Sequence, residues 1–215
     1  MKQIAVFGAS GFGREVMPMV QQQWRTRHEA FELAFVDDAP PSAELNGHPV
    51  YSYAQWLARP ASSRHIIIAV SNSAAREKIA QRCQADGILF EEVRAANVVQ
   101  MDEVVLGPGA ILSSFVTLTS NIRIGCHFHA NLYSYVAHDC VIGDFVTFAP
   151  AVQCNGNVVI EAHAYIGTGA VIKQGRPGHP LVIGRGAVVG MGAVVTKSVP
   201  PGATVIGNPA RPLHS

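Results

Sequence analysis

The sequence predicts a two-part fold: a short α/β domain of the Rossmann-like half-domain kind over residues 1–95, followed by a parallel β-solenoid over residues 96–215. Three observations carry this. Between Val104 and Val199 an aliphatic or near-aliphatic residue returns at every sixth position. Ahead of it, short apolar runs alternate with helical segments, the order that builds a parallel sheet. Composition agrees, since 48% of residues are hydrophobic but only 14% charged and 7% aromatic, which suits a β-rich protein with an aliphatic core.

The anchors of the repeat are Leu106, Leu112, Leu118, Ile124, Ala130, Val136, Ile142, Phe148, Cys154, Ile160, Ile166 and Ile172, then Ile183, Val189 and Val195. A period of six matches neither a helix nor an alternating strand, and a short fixed period marks a solenoid. Each hexad is one strand and one turn, and three close a triangular coil. Stacked coils then lie roughly 4.8 Å apart. Gly107, Gly125, Gly143, Gly167, Gly184 and Gly190 follow the anchors, where the chain is expected to turn sharply at angles that a Cβ disfavours. One break stands out: Ile172 and Ile183 are eleven apart, so five extra residues interrupt the register. Arg176, Pro177, Gly178, His179 and Pro180 have loop composition, and a loop thrown out of a regular scaffold is where function often sits.

The first domain opens with a strand, Gln3 to Phe7, then Gly8-Ala9-Ser10-Gly11-Phe12-Gly13 and a helix from Arg14 towards Gln23. Such a turn aims backbone N–H groups and a helix N-terminus at an anion, commonly a phosphate. The glycine order is GxxGxG, which a merely tight connection also explains. A second strand, Phe31 to Val36, ends in Asp37 and Asp38, carboxylates suited to a ribose or base and equally to a solvated Asp-Asp-Ala-Pro-Pro turn. A strand near Pro49 to Tyr51, a helical piece at Tyr53 to Leu57 and a buried strand from Arg64 to Val70 follow. Ser71 and Asn72 then cap the helix Ala74 to Ala85 or touch a ligand. The glycine turn, Asp37/Asp38 and Ser71/Asn72 all fall at strand C-terminal ends, where one ligand crevice is expected. A domain this short has room for one nucleotide half-site, not a full dinucleotide fold.

A formal charge of +1 makes no case for nucleic acid or an anionic membrane. Gly8, Ser10 and Gly11 interrupt the only N-terminal apolar run that resembles a signal peptide, and no stretch reaches the ~20 apolar residues of a membrane helix. Cytoplasmic residence is the expectation. Cys83, Cys126, Cys140 and Cys154 lack CxxC or zinc-ligand spacing and read as free thiols, so no metal site is expected.

Of the histidines in the repeat (His127, His129, His138, His163 and His179), His138 differs because Asp139 follows it. A histidine takes a proton near neutral pH, and an adjacent carboxylate raises its basicity. A surface or subunit-contact role is the other reading.

The hexad ladder resembles the left-handed β-helix acyltransferases, and so does the ending, Val195-Thr196-Lys197-Ser198-Val199-Pro200-Pro201-Gly202 with Gly207-Asn208-Pro209-Ala210. With the Gly-Ala-Ser-Gly-Phe-Gly-Arg-Glu start, the whole chain is similar to the subfamily of bacillosamine- and perosamine-type nucleotide-sugar N-acetyltransferases and sialic acid O-acetyltransferases. The handedness comes from this resemblance alone.

The resemblance implies an enzyme of surface polysaccharide biosynthesis: a homotrimer with active sites between subunits, acetyl-CoA between adjacent prisms, and a nucleotide-linked sugar bridging from the N-terminal domain. It implies His138 as general base, strengthened by Asp139, and the Gly156 N–H near the thioester carbonyl. Thr147, Thr168 and Met191 fall along acetyl-CoA and Asn131 near the acceptor; Ser10, Gly11, Phe12, Asp37, Asp38 and Ser71 fall on the sugar-nucleotide side. Two departures are visible. Phe12 stands where many members carry a histidine that helps to hold the acceptor sugar, and five residues are inserted after Gly175. N-acetylation of a nucleotide amino sugar leads. O-acetylation of a sugar and a carbonic anhydrase-like metal lyase on the same prism, with histidines from adjacent subunits, are the alternatives.

Overall fold

A computed structural model describes residues 1–40 and 42–213; Pro41, the last residue of the expected Asp-Asp-Ala-Pro-Pro turn, lies outside the described residues. The chain divides into a unit Met1–Arg94 and a second that begins at Ala95.

In the first unit β1 (Lys2–Phe7) is flanked in parallel by β2 (Phe31–Val36) and β5 (Arg64–Ile68). Its residues Ile4, Ala5 and Val6 are fully buried, as expected of a strand covered on both faces. With β3 (Glu44–Leu45), β4 (His48–Tyr51) and β6 (Leu89–Phe90) the sheet order is β3-β4-β2-β1-β5-β6, in which only β3 is antiparallel. The chain leaves β1 in one direction to β2 and returns to its other side as β5, so the topological switch point lies between β1 and β5. Short β3 and β6 carry too few residues for a periodic signal, which is why sequence pattern does not reveal them.

The helix α1 (Gly11–Arg25) starts three residues before the expected Arg14, directly after Ser10. Its buried Val16, Met17, Val20 and Trp24 recur at helical spacing. The α2 helix (Tyr53–Leu57) opens with a Ser52/Gln55 capping box, and Asn72 Oδ1 caps α3 (Ser73–Ala85) by accepting from Ala75 N at 2.9 Å. β5 ends at Ile68 instead of running to Val70. Beyond it the carbonyls of Val70 and Ser71 accept from the buried Arg76 guanidinium, at 2.7 and 3.2 Å.

The second unit is a parallel β-helix. Ile111 pairs with His129, His129 with Thr147 and Thr147 with Tyr165, a repeat of eighteen residues per coil, and two further parallel sheets complete the prism. Anchors line the interior, joined by the residue two positions earlier (Phe128, Cys140, Val146, Val152), because alternate strand residues share a face. Size is balanced locally: anchor Ala130 is small beside Phe128 and Phe148, whose rings meet edge to face at 5.2 Å.

The turn chemistry differs from the expectation. The left-handed backbone position falls three residues after the anchor, at Phe115, Asn121, His127, Tyr133, Asp139, Phe145, Ala151, Asn157 and His163, with φ between 53° and 65°. The glycines directly after the anchors are not in that region. They are glycine because the neighbouring coil leaves no room: a Cβ on Gly107 would lie 2.6 Å from the Gly125 carbonyl carbon, and one on Gly143 2.5 Å from Ala162 N. Close coil stacking selects them, not backbone angle.

Candidate active site

One edge of the prism follows the strands Tyr135–Val136, Gln153–Cys154, Val171–Ile172 and Val194–Val195, which pair in parallel register. Two residues beyond each strand's anchor lie His138, Gly156, Gln174 and Lys197, one per coil. His138 Nδ1 and Asp139 Oδ2 are 2.7 Å apart. With the ionised carboxylate accepting from Nδ1–H, Nε2 is left as the nitrogen that can take a proton. Asp139 holds φ at 59°, and that backbone turns its side chain back to the ring.

Gly156 sits against the same ring. A Cβ there would come within 2.5 Å of His138 Cε1 and 2.6 Å of Nε2, so only glycine brings backbone this close to the imidazole. The Asn157 N–H is spent on the His138 carbonyl at 3.0 Å, whereas the Gly156 N–H makes no backbone bond among the described residues, as is the rule at that position of the repeat. Asn155 fixes the approach: its Nδ2 donates to Ile172 O at 2.8 Å and its Oδ1 accepts from Tyr135 Oη–H at 3.0 Å. Beneath lie Cys140 and Cys154, both buried free thiols; contact with Cys140 and then burial push the Cys154 thiol well up. Sequence reasoning did not find Tyr135, Asn155 or the cysteine pair, because they meet only through coil stacking.

A different edge carries Thr168 and Met191. They are neighbours in successive coils, Gly192 N donating to Thr168 O at 2.8 Å, and Met191 is 82% exposed. Asn131 lies along this edge too, with Nδ2 donating to Phe148 O at 2.9 Å, while Thr147 is buried on the adjoining sheet. Within one chain, therefore, His138, Asp139 and Gly156 come together, and Thr168 and Met191 come together elsewhere. Among the described residues no three of His, Cys, Asp and Glu gather as a metal-binding group.

In the α/β unit the glycine turn closes over the switch point. Gly8 N donates to Val36 O and Ala69 N to Phe7 O, both at 2.8 Å. A Cβ on Gly13 would meet Gly8 O at 1.8 Å, so that glycine lets α1 dock on the turn. Ser10 is exposed and makes no side-chain cap bond, leaving its hydroxyl available beside the first helical N–H groups of α1, with Gly11 exposed and Phe12 half-buried. Asp37 is engaged: Oδ2 accepts from Ala9 N at 2.9 Å and Oδ1 from Ala39 N at 3.0 Å. Asp38 pairs with Arg82 Nη2 at 3.0 Å, and that guanidinium lies 4.1 Å above the Tyr53 ring. Asp37 thus braces the turn and Asp38 orients Arg82, while Ser71 is exposed at the end of β5.

Residues 3–83 match the family described as the PglD N-terminal domain. The chain is 48% identical over 214 residues to GDP-perosamine N-acetyltransferase of Escherichia coli O157:H7, covering 99% of this chain and 97% of that protein. The chain belongs to the nucleotide-sugar N-acetyltransferases of the hexapeptide-repeat family. Among solved structures, WeeI from Acinetobacter baumannii AYE superposes with a TM-score of 0.96 at 57% identity, over 99% of this chain and 100% of that one. The acetyltransferase domain of PglB from Neisseria gonorrhoeae FA1090, in complex with acetyl coenzyme A, gives 0.87 at 28% identity over 98% of each. The fold is that of this family, a Rossmann-like half domain followed by a left-handed β-helix. Membership favours N-acetylation over the O-acetylation and metal-lyase alternatives.

Proposed function

We propose that this protein moves the acetyl group of acetyl-CoA to the amino group of a nucleotide-linked amino sugar, with GDP-perosamine the first acceptor to test. The observation that carries the reading is the His138 ring, oriented by Asp139 and stacked directly on Gly156. The attacking amine must lose a proton as its nitrogen bonds to the thioester carbon, and His138 Nε2 accepts it. Negative charge then develops on the carbonyl oxygen, for which the Gly156 N–H is a preorganised donor, a contribution worth roughly 3 to 4 kcal/mol in other enzymes. Collapse breaks the carbon–sulfur bond, and the departing thiolate takes the proton held by His138. No covalent enzyme intermediate is involved. Acetyl-CoA is a co-substrate here, the acetyl donor that PglB's acetyltransferase domain is described with.

Ser10, Gly11 and Phe12, with Ser71, line the nucleotide-sugar side, and Asp37 and Asp38 support it from behind. Thr168 and Met191 lie on a different prism edge from His138. That separation supports a homotrimer in which one subunit's His138 edge faces the next subunit's Thr168–Met191 edge, with Thr147 and Asn131 on the second subunit's side. No described helix is long and apolar enough to cross a membrane, and four free cysteines suit a reducing, cytoplasmic setting.

The test is an assay of the purified protein with acetyl-CoA against GDP-perosamine, other nucleotide amino sugars and free sugars, with products identified by mass spectrometry. N-acetylated nucleotide sugar supports the reading; acetylation confined to hydroxyls, or no thioester cleavage with any acceptor, sinks it.

A further inference from the structure

The five residues that break the hexad register do not form a slack loop. Arg176 N donates to His179 O at 3.0 Å and His179 N to Arg176 O at 2.9 Å, closing a hairpin around Pro177-Gly178 in which Gly178 has φ 74°. Proline then glycine is the pair a type II turn requires. The base of this hairpin is clamped to the active-site coil: Gly175 N donates to Gly156 O at 3.0 Å, and Leu181 N to Asn157 O at 3.2 Å. A Cβ on Gly175 would strike Asn157 O at 2.1 Å, so the hairpin leaves the prism at a fixed angle, one coil beyond Gly156.

Between the hairpin and the prism lies a cavity of about 320 Å³ whose walls include Lys173, Arg176, His179 and Lys197. No carboxylate lines it, and among the described residues no acidic side chain pairs with any of these four. Three fixed positive charges and an imidazole therefore converge with nothing to neutralise them, on the edge that carries His138 and Gly156. In the α/β unit, by contrast, Arg27, Arg59, Arg82 and Arg94 each have a carboxylate partner. Uncompensated convergent cations on a rigid mount suit a doubly charged oxyanion, which Arg binds in a planar fork and Lys as a point charge.

We infer that the Arg176–His179 hairpin, with Lys173 and Lys197, is a phosphate-binding site that receives the phosphate end of the acyl donor. This rests on the acetyltransferase reading. On that reading the donor's thioester lies by Gly156, and the column Gly156, Gln174, Lys197 leads from it along the same edge at roughly 4.8 Å per coil, so the cavity lies within reach of the rest of that molecule. The nucleotide sugar carries phosphates as well, but its crevice belongs to the α/β unit.

The double variant Arg176→Gln/Lys197→Gln tests it, both residues being exposed and outside the catalytic pair. The KM for acetyl-CoA is expected to rise about tenfold or more, the effect of losing charged hydrogen bonds, while the KM for the sugar nucleotide stays within about twofold. With S-acetyl-pantetheine, which has no phosphate, variant and wild type are expected to be equal. A rise in the sugar-nucleotide KM instead, or equal impairment with the phosphate-free donor, overturns the assignment. Pyrophosphate titration followed by NMR needs no turnover: shifts at Lys173, Arg176 and Lys197 in the wild type that vanish in the variant support the site, and their absence refutes it. Should no donor be turned over, the titration still separates failure of the site from failure of the acetyltransferase reading.

Discussion

The His138 ring occupies the space that a side chain at position 156 would need, lying 2.5 Å from where a Cβ would stand. The proposed base and the proposed oxyanion donor are thus one packed unit contributed by two consecutive coils. Gly156→Ala is expected to lower kcat by about a hundredfold by pushing the imidazole aside, since an ångström-scale misplacement is worth that much. Melting temperature is expected to change little, because the backbone there is not left-handed and the ring is exposed. A variant with normal kcat rules out this unit as the reacting centre.

Replacing His138 with Ala removes the proposed base and is expected to cost about 10²–10⁴ in kcat. Asp139→Asn is the finer probe, because Asn tolerates the φ of 59° and keeps the shape while losing the charge. A smaller loss is expected, about tenfold to a hundredfold, since the pair is half-exposed and solvent screens it. Steady-state kinetics that show equal losses in the two variants contradict a supporting role for Asp139.

Gly13→Ala places a methyl 1.8 Å from Gly8 O, too close for any side-chain adjustment to relieve. The start of α1 has to lift off the turn, with an expected cost of about 1–3 kcal/mol and weaker binding of the nucleotide sugar. Calorimetric Tm and acceptor Kd measure the two effects; a Kd unchanged in a destabilised variant detaches the glycine turn from binding.

In the α/β unit, Glu32 accepts from Gln3 Nε2 and Arg59 Nη2, each at 2.7 Å, and these bonds hold its carboxyl below the usual range. A folded-state pKa below the unfolded value, about 4.3, gives stability that is present above that pH and lost as pH falls through the folded value. Glu32→Gln is therefore expected to lower Tm slightly near neutral pH and to match the wild type in acid. A gap that stays constant with pH counts against this linkage.

Ala151 holds φ at 59° with a Cβ that disfavours it. Ala151→Gly removes a strain of about 1–2 kcal/mol at an entropic cost of roughly 0.5–1 kcal/mol, so Tm is expected to stay level or rise by a few degrees. A clear drop in a melting experiment shows that the prism edge tolerates left-handed alanine without penalty.

Much of this protein is readable from residue order because a repeat converts local pattern into global shape. The aliphatic residue at every sixth position specifies an inward-facing ladder, and the break after Ile172 marks where the ladder is interrupted. His138-Asp139 is legible because the two are adjacent. The reason for the glycines after the anchors was not, since it is the backbone of another coil eighteen residues away. Nor was the bond by which Asp37 accepts from Ala9 N–H and holds the glycine turn.

The sequence by itself determined the two-part architecture, the coil period and the identity of the candidate base, because each depends on neighbours along the chain. Only the tertiary structure decided that Gly156 touches the His138 ring, that Tyr135 and Asn155 brace it, and that Arg176, His179, Lys173 and Lys197 share one cavity. Those relationships arise when coils stack, which brings together residues about eighteen or more positions apart, and no local periodicity encodes which side chains then meet.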